Sequence, residues 1–208
     1  MSEVSTLPSI QQLNTESRDN FLAVVNTLFE TAPPLADKLL ASRPFSSYLQ
    51  LIERGEAICL GNELTESEKL EVVNAHPRIG ESSGKLSAMS LKEQGYRSAQ
   101  QTVSPEDQKV NERLAVLNKV RVCCWYQYAC CFKNGVVNFD LFLQEYEERY
   151  GFKFVVFVAG RPRKDIIPVI EDRIKSNNKE AELKTGIVDM MLIARDRLKK
   201  LKAASPEI

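Results

Sequence analysis

The residue types best suited to acid–base chemistry gather in one stretch of this sequence, residues 75–94. His76 is the only histidine in the protein, and imidazole is the side chain that most readily exchanges protons near neutral pH. Glu93 follows closely enough for a short helical turn to aim its carboxylate back at the imidazole. Ser90 and Gln94 add a hydroxyl and an amide to the same stretch. The pattern predicts proton transfer on a small molecule, with His76 as the general acid or base.

Each of these residues also has a purely structural interpretation. A histidine near the C-terminal end of a helix is favoured by the helix dipole, and Ser90-x-x-Glu93 has the spacing of a capping box. A glutamine such as Gln94 is common on exposed helix faces, although its amide also suits an amide or urea group of a ligand. Capping and binding are compatible here, because the free amides at a helix N-terminus favour an anion. We therefore expect an anionic substrate.

A second group of candidates lies in a basic loop, where Arg161 and Arg163 flank Pro162. Guanidinium groups bind carboxylates in a bidentate manner, although solvated basic loops of this kind are common. A zinc site is not expected, because the chain has one histidine and its cysteines are not spaced as paired ligands. The cysteines clustered between residues 123 and 131 are interpreted as packing.

Composition limits the classes of partner. Lys plus Arg and Asp plus Glu each total 28 in 208 residues, so net charge provides no general attraction to nucleic acid or to an anionic membrane. No segment is long and apolar enough to span a membrane, and residues 1–5 lack the pattern of a secretory signal. Five cysteines without a spaced disulfide framework suit a reducing compartment. We expect a cytoplasmic protein; a peroxisomal location is the alternative, although residues 205–208 are not a Ser-Lys-Leu signal.

Helices must position these candidates. Thr65 opens a capping box that starts a helix, and Pro77 requires that helix to end before His76. Residues 180–201 have the apolar spacing of a long closing helix. Residues 154–158, Phe-Val-Val-Phe-Val, are the one plausible buried strand and are too short to build a sheet alone. The sequence predicts an all-α, single-domain multi-helix bundle with one short extended segment.

Three motifs together resemble the 2-oxo-4-hydroxy-4-carboxy-5-ureidoimidazoline (OHCU) decarboxylase family. They are His-Pro-Arg-Ile-Gly at residues 76–80, Ser-x-x-Glu-Gln at residues 90–94, and the run 150–158 followed by Gly160-Arg161. The similarity extends from about Leu7 to Leu201, and the run before Arg161 looks most like fungal members. This resemblance implies an all-helical, cofactor-free homodimer. The reaction that it implies is decarboxylation of OHCU to (S)-allantoin during urate breakdown.

The resemblance also implies roles for individual residues. His76 handles the proton, and Pro77 fixes the orientation of its ring. Glu93 and Gln94 hold the ureido and ring nitrogens of the substrate, and Ser90 assists these hydrogen bonds. No metal or pyridoxal group is required, because the ring carbonyl and C=N bond can accept the electron density that decarboxylation leaves behind.

One position departs from the family pattern. Many members carry an arginine where a simple alignment places Ala159, and we expect Arg161 to take that role two residues later. The departure motivates an alternative interpretation, a catalytically inactive ureide-binding or scaffold homologue of the same fold. A hydrolase acting on a neighbouring ureide such as allantoate is disfavoured by the missing metal ligands.

A second departure is an insertion of about 25 residues, from Val120 to Gln144. Deleting it brings Tyr146 and Tyr150 into helical phase with the apolar residues that precede position 120. Residues 120–122 can be encoded by a splice-donor sequence, and residues 142–144 by a splice acceptor. We therefore hypothesise that the segment is a translated intron. The alternative is a genuine insertion, because its own apolar residues could line a helix.

Overall fold

The computed structural model describes residues 7–79, 87–93, 139–161, 163–176 and 178–204. These residues form helices and connecting segments, without a β-strand in the described ranges, so the predicted all-α class is confirmed. The helices, in chain order, are α1 Ile10–Thr15, α2 Arg18–Phe29, α3 Pro33–Ala41, α4 Tyr48–Leu60, α5 Glu66–Ala75, α6 Ala88–Glu93, α7 Phe139–Tyr150, α8 Arg163–Ser176 and α9 Lys179–Ala204.

Local signals define both ends of α5, the helix that leads to the histidine. The Thr65 side chain accepts from the amide of Glu68, and the Glu68 carboxylate accepts from the Thr65 amide at 2.7 Å, which is the predicted capping box. The helix ends at Ala75, and His76 follows with extended backbone angles, φ −64° and ψ 141°. Pro77 disfavours the helical region for its predecessor, so the end of α5 is confirmed with its cause.

The long helix α9 is the centre of the fold. It packs against α2, α4 and α5, while α7 packs against α8. The apolar residues predicted to line one face of α9 are all buried: Leu183, Ile187, Met190, Met191, Ala194, Leu198 and Leu201. A single connected core joins this face to the buried faces of α2, α3 and α4. Consequently, a polar residue placed on the same face of α9 must lie inside the protein.

Residues 154–158, the predicted buried strand, are only partly buried and do not form a strand, so that part of the prediction is wrong. Phe154, Val155 and Val156 are buried, as their apolar character requires. They form neither helix nor strand. A strand needs a neighbour to satisfy its backbone groups, and the described residues contain no second strand. The extended segment that the sequence predicts is therefore a non-helical connection through the core.

Side chains replace the missing strand neighbour. Arg173 on α8 donates from Nη1 to the Val155 carbonyl at 2.9 Å, and the Lys153 amide donates to Asn74 Oδ1 at 2.9 Å. Arg173 is itself held by Glu182, with 2.7 Å between Nε and Oε2. These contacts fix the segment between α5, α8 and α9, where it forms one wall of the site described below.

Several predicted features lie outside the described residues. They include Gln94, the cysteines clustered between residues 123 and 131, and the predicted insertion up to residue 138. Among the helices that are described, none combines the length and apolar character needed to cross a bilayer.

Candidate functional site

His76 lies inside the protein, directly after α5. It is 3% exposed, and its amide donates to the Val73 carbonyl at 3.2 Å. Lys153 Nζ donates to the His76 carbonyl at 3.0 Å, which ties the segment 153–158 to the same point. The capped start of α5 and the proline after its end therefore place a single imidazole where water has little access.

Glu30, the residue that ends α2, faces this imidazole. The distance from His76 Nδ1 to Glu30 Oε2 is 3.6 Å. The other carboxylate oxygen, Oε1, accepts from Ser90 Oγ at 2.5 Å and from the Ser87 hydroxyl. Glu30 thus connects the histidine to the start of α6.

Arg197, on the buried face of α9, connects the two carboxylates of the site. It is 1% exposed. Its Nε and Nη2 each donate to one oxygen of Glu93 at 2.8 Å, which is a bidentate contact, and Nη2 also donates to Ser90 Oγ at 3.0 Å. Nη2 lies 3.3 Å from Glu30 Oε1. We call Glu30, His76, Ser90, Glu93 and Arg197 the buried polar cluster.

The ionised groups in the buried polar cluster stabilise one another. Burial by itself raises the pKa of Glu30, but the facing His76 and the Arg197 guanidinium outweigh burial and lower that pKa from 4.5 to about 2. Burial by itself lowers the pKa of Arg197, and the carboxylates of Glu93 and Glu30 more than reverse that effect. Both groups are therefore charged at neutral pH, each stabilised by the other.

The lowered pKa of Glu30 predicts a specific acid sensitivity. A carboxylate whose pKa falls on folding stabilises the native state above its unfolded value, and that contribution is lost as the pH falls towards the folded value. The free energy of unfolding should therefore drop by about 2 kcal/mol more in the wild type than in Glu30→Gln between pH 6 and pH 3. Urea unfolding of both proteins at the two pH values measures this difference, and parallel losses would contradict it.

A cavity of about 130 Å³ opens beside the buried polar cluster. Its lining includes His76, Pro77, Ser90, Glu93 and Arg197 from the cluster side, residues 154–160 from the opposite wall, and Ile79, Ile193, Asp196 and Lys200. His76 Nε2 is buried and has no hydrogen-bond partner among the described residues. Within the described part of the chain, the arrangement offers a small ligand one unpaired imidazole nitrogen, the carboxylates of Glu93 and Asp196, and the exposed lysine Lys200.

Comparison with known proteins decides the family. The model of a family described as OHCU decarboxylase matches residues 14–120 and 136–199, most of the chain. The chain belongs to the OHCU decarboxylase family. The interruption of the family match, residues 121–135, falls within the predicted insertion, and that insertion stays a prediction.

Several family relatives share low but extended similarity with the chain. The 2-oxo-4-hydroxy-4-carboxy-5-ureidoimidazoline decarboxylase of Haloferax volcanii is 24% identical over 190 residues, covering 91% of this chain and 94% of that protein. The uric acid degradation bifunctional protein of Bacillus sp. (strain TB-90) is 24% identical over 192 residues, covering 92% of this chain. The match spans 32% of the bifunctional protein, so the chain covers about a third of that relative's length.

A solved structure supports the fold. The crystal structure of (S)-allantoin synthase superimposes with a TM-score of 0.53 at 16% sequence identity, covering 93% of this chain and 54% of that chain. At this level of identity the likeness concerns the fold alone. It agrees with the all-helical architecture described above.

The structure brings together four of the six site residues predicted for this OHCU decarboxylase family member. His76, Pro77, Ser90 and Glu93 all line the cavity, whereas Gln94 lies outside the described residues. Arg161 is exposed, and its Nη2 and Nε donate to the carbonyls of residues 157 and 158 at 2.7 and 3.1 Å. It does not line the cavity. The roles of all six residues stay predictions.

Ser90 and Glu93 do not form the capping box that their spacing suggests. Helix α6 begins at Ala88, and the Ser90 amide donates to Ser87 Oγ at 3.1 Å, so Ser87 is the capping residue. The side chains of Ser90 and Glu93 instead point to Arg197. The capping interpretation missed this because Ser87 and Ser90 have the same local chemistry, and only the distant arginine distinguishes them.

Two members of the buried polar cluster, Glu30 and Arg197, were not predicted from the sequence. Signals for both were present. Arg197 occupies a position on the apolar stripe of α9, between Ala194 and Leu201 at steps of three and four, where a charge requires a buried partner. Glu30 follows the last turn of α2, at the negative end of the helix dipole, where an acid is unfavourable without a compensating cation.

Proposed function

We propose that this protein decarboxylates OHCU to (S)-allantoin in urate breakdown, without a cofactor. The single observation that carries the proposal is the buried His76 beside a small polar cavity, with an Nε2 that has no partner among the described residues, in a chain of the OHCU decarboxylase family. The names of the archaeal and bacterial relatives support the same substrate and pathway. The expected homodimer and cytoplasmic location remain part of the proposal.

The substrate's own bonds can accept the electrons of decarboxylation. Carbon 4 of OHCU carries the hydroxyl, the carboxylate and a ring nitrogen, so the imidazoline C=N bond must join carbon 5 to the other ring nitrogen. When CO₂ leaves, the electron pair of its bond forms a C4=C5 double bond, and the C=N pair moves to the ring nitrogen, which takes a proton from solvent. Carbon 5 then needs one proton, on one face, to become the stereocentre of (S)-allantoin.

The protein's contribution is orientation and proton transfer. We assign His76 to the transfer to carbon 5, and Glu93 to the nitrogens of the ureido group and ring. Arg197 keeps Glu93 in one rotamer through two hydrogen bonds at 2.8 Å, so little freedom is lost when the substrate binds. Ser90 and Pro77 contribute to the lining that holds the ring beside the imidazole.

Two cationic side chains, Lys200 and Arg161, are candidates for binding the substrate carboxylate. Lys200 lines the cavity and pairs with Asp196, with 2.6 Å between Nζ and Oδ2. Arg161 directly follows the cavity-wall residues 154–160 in the chain and is exposed. To bind the substrate it would have to give up its hydrogen bonds to two backbone carbonyls. In a side-by-side comparison of Lys200→Gln and Arg161→Gln, the variant with the higher KM identifies the carboxylate contact.

One assay tests the function. OHCU is generated in place from urate with urate oxidase and hydroxyisourate hydrolase, and the circular dichroism of allantoin is followed with and without the protein. We expect a rapid signal of one sign, because spontaneous decarboxylation in water gives a racemate. A signal that stays at the spontaneous level would remove the decarboxylase proposal and favour the inactive ureide-binding homologue.

A further inference from the structure

We propose that Glu30 is a positioning residue that holds His76 as the Nδ1–H tautomer and leaves the Nε2 lone pair free for the substrate. The geometry of the Glu30–His76 pair stands by itself. Its chemical consequence rests on the proposed decarboxylation. No residue of this role was evident from the motifs in residues 75–94.

The two oxygens of Glu30 are used differently. Oε1 accepts from Ser87, from Ser90 at 2.5 Å, and lies 3.3 Å from Arg197 Nη2. Oε2 is buried without a hydrogen bond from the described residues other than its approach to His76 Nδ1 at 3.6 Å. An ionised carboxylate is only an acceptor, so the nitrogen that faces it must carry the hydrogen. In the neutral ring, Nε2 is then the acceptor.

The backbone at Glu30 supports a functional role. Its angles are φ 48° and ψ 52°, in the left-handed region that residues with a side chain rarely occupy. Its amide still donates to the Asn26 carbonyl at 2.8 Å, so the residue is held firmly at the end of α2. An acid at the negative end of a helix, in a left-handed conformation, breaks two local rules at one position. Such conflicts are expected where function requires the arrangement.

The tautomer decides the order of proton transfers. With a free lone pair, Nε2 acts first as a base on the C4=C5 intermediate that CO₂ loss leaves behind. It takes the proton of the 4-hydroxyl, the O–H electron pair forms the C4=O bond, and the C4=C5 pair becomes available at carbon 5. The imidazolium formed in this step faces the Glu30 carboxylate, which stabilises its charge. Nε2 then returns the same proton to carbon 5. The histidine ends in its starting state, and the one further proton, on the ring nitrogen, comes from solvent.

A single histidine makes the tautomer directly measurable. In protein labelled with ¹⁵N-histidine, all imidazole signals belong to His76, and two-bond and three-bond couplings to the ring carbon-bound hydrogens identify the protonated nitrogen. In the neutral form of the ring we expect the proton on Nδ1 in the wild type. In Glu30→Gln, the amide oxygen should keep the place of Oε1, because three donors point there, and its NH₂ group should face Nδ1. The tautomer should therefore invert to Nε2–H, and kcat should fall at least tenfold with little change in KM.

Two further variants complete the experiment. Glu56→Gln is the control. It removes a partly buried carboxylate on α4 that pairs with Arg195 of α9, and it should leave both the tautomer and kcat unchanged. Glu30→Asp keeps the charge and should retain Nδ1–H, which provides a measurement even if Glu30→Gln does not fold. A wild-type ring protonated on Nε2, or an unchanged tautomer in folded Glu30→Gln, would overturn the proposal. Because this readout needs no substrate, tautomer inversion in a protein without decarboxylase activity would support the positioning role while removing the proposed function.

Discussion

Replacing Arg197 by methionine is expected to lower the free energy of unfolding by about 3–5 kcal/mol. The substitution leaves the carboxylates of Glu30 and Glu93 inside the protein without their shared cation. Methionine has a similar length and is apolar, so the loss reports the unpaired charges rather than a large cavity. Urea unfolding at pH 7, followed by circular dichroism at the helical signal, measures the change.

The matched control for this substitution lies two residues away on the same helix. Arg195 pairs with Glu56 at 2.5 Å, but its side chain is 28% exposed, compared with 1% for Arg197. Arg195→Met should therefore cost under about 1 kcal/mol, because solvent can take over the interaction with Glu56. Equal losses for the two variants would contradict the assignment of Arg197 as the central charge of the buried polar cluster. Adding Glu93→Gln to Arg197→Met should recover part of the loss, since it removes one uncompensated charge.

The parts of the site that could be predicted from sequence depend on neighbouring residues. The capping box at Thr65 and the proline after His76 act within a few positions, so the bounds of α5 and the extended backbone of His76 follow from local rules. The pairing of His76 with Glu30 and of Glu93 with Arg197 joins residues far apart in the chain, 104 positions in the second case. Local patterns carry no information about such contacts, although the buried position of Arg197 does indicate that some partner exists.

In the segment 153–158 as well, one property follows from the local sequence and another depends on distant contacts. Its apolar character correctly indicates burial, because removing Phe154 and the following valines from water is favourable wherever they lie. Its backbone conformation depends on which groups accept and donate around it. Arg173 and Asn74 supply those groups from α8 and α5, so no strand neighbour is needed. Apolar periodicity cannot distinguish these two solutions.

The insertion hypothesis also depends on contacts beyond the local pattern. The predicted segment extends to Gln144, whereas helix α7 runs without a break from Phe139 to Tyr150 and Leu143 is buried in the core. The family match resumes at residue 136. We therefore propose that the family-atypical part is centred on residues 121–135. Sequencing of cDNA checks the translated-intron hypothesis, and transcripts that retain the segment as the main product would favour a genuine insertion.

Replacing His76 by asparagine is expected to lower kcat by roughly 10²–10⁴-fold, the usual contribution of a general acid or base. Asparagine keeps a polar side chain beside Glu30 and removes the group that can carry a proton between two substrate atoms. The KM should change little, because in this proposal Glu93 and a cation at the cavity supply most of the binding. Steady-state rates from the disappearance of OHCU absorbance provide both constants.

The stereochemistry of the product separates a chemical role of His76 from a structural one. If Nε2 delivers the proton to one face of carbon 5, the residual decarboxylation in His76→Asn should yield allantoin without a circular dichroism signal. Loss of OHCU and appearance of optical activity then become separate observables. A variant that only loosened the cavity would slow both together and keep the sign of the signal. Optically active product formed at a rate close to that of the wild type would show that another group delivers the proton, and the Glu30–His76 pair would then have to be interpreted as a structural ion pair at the centre of the bundle.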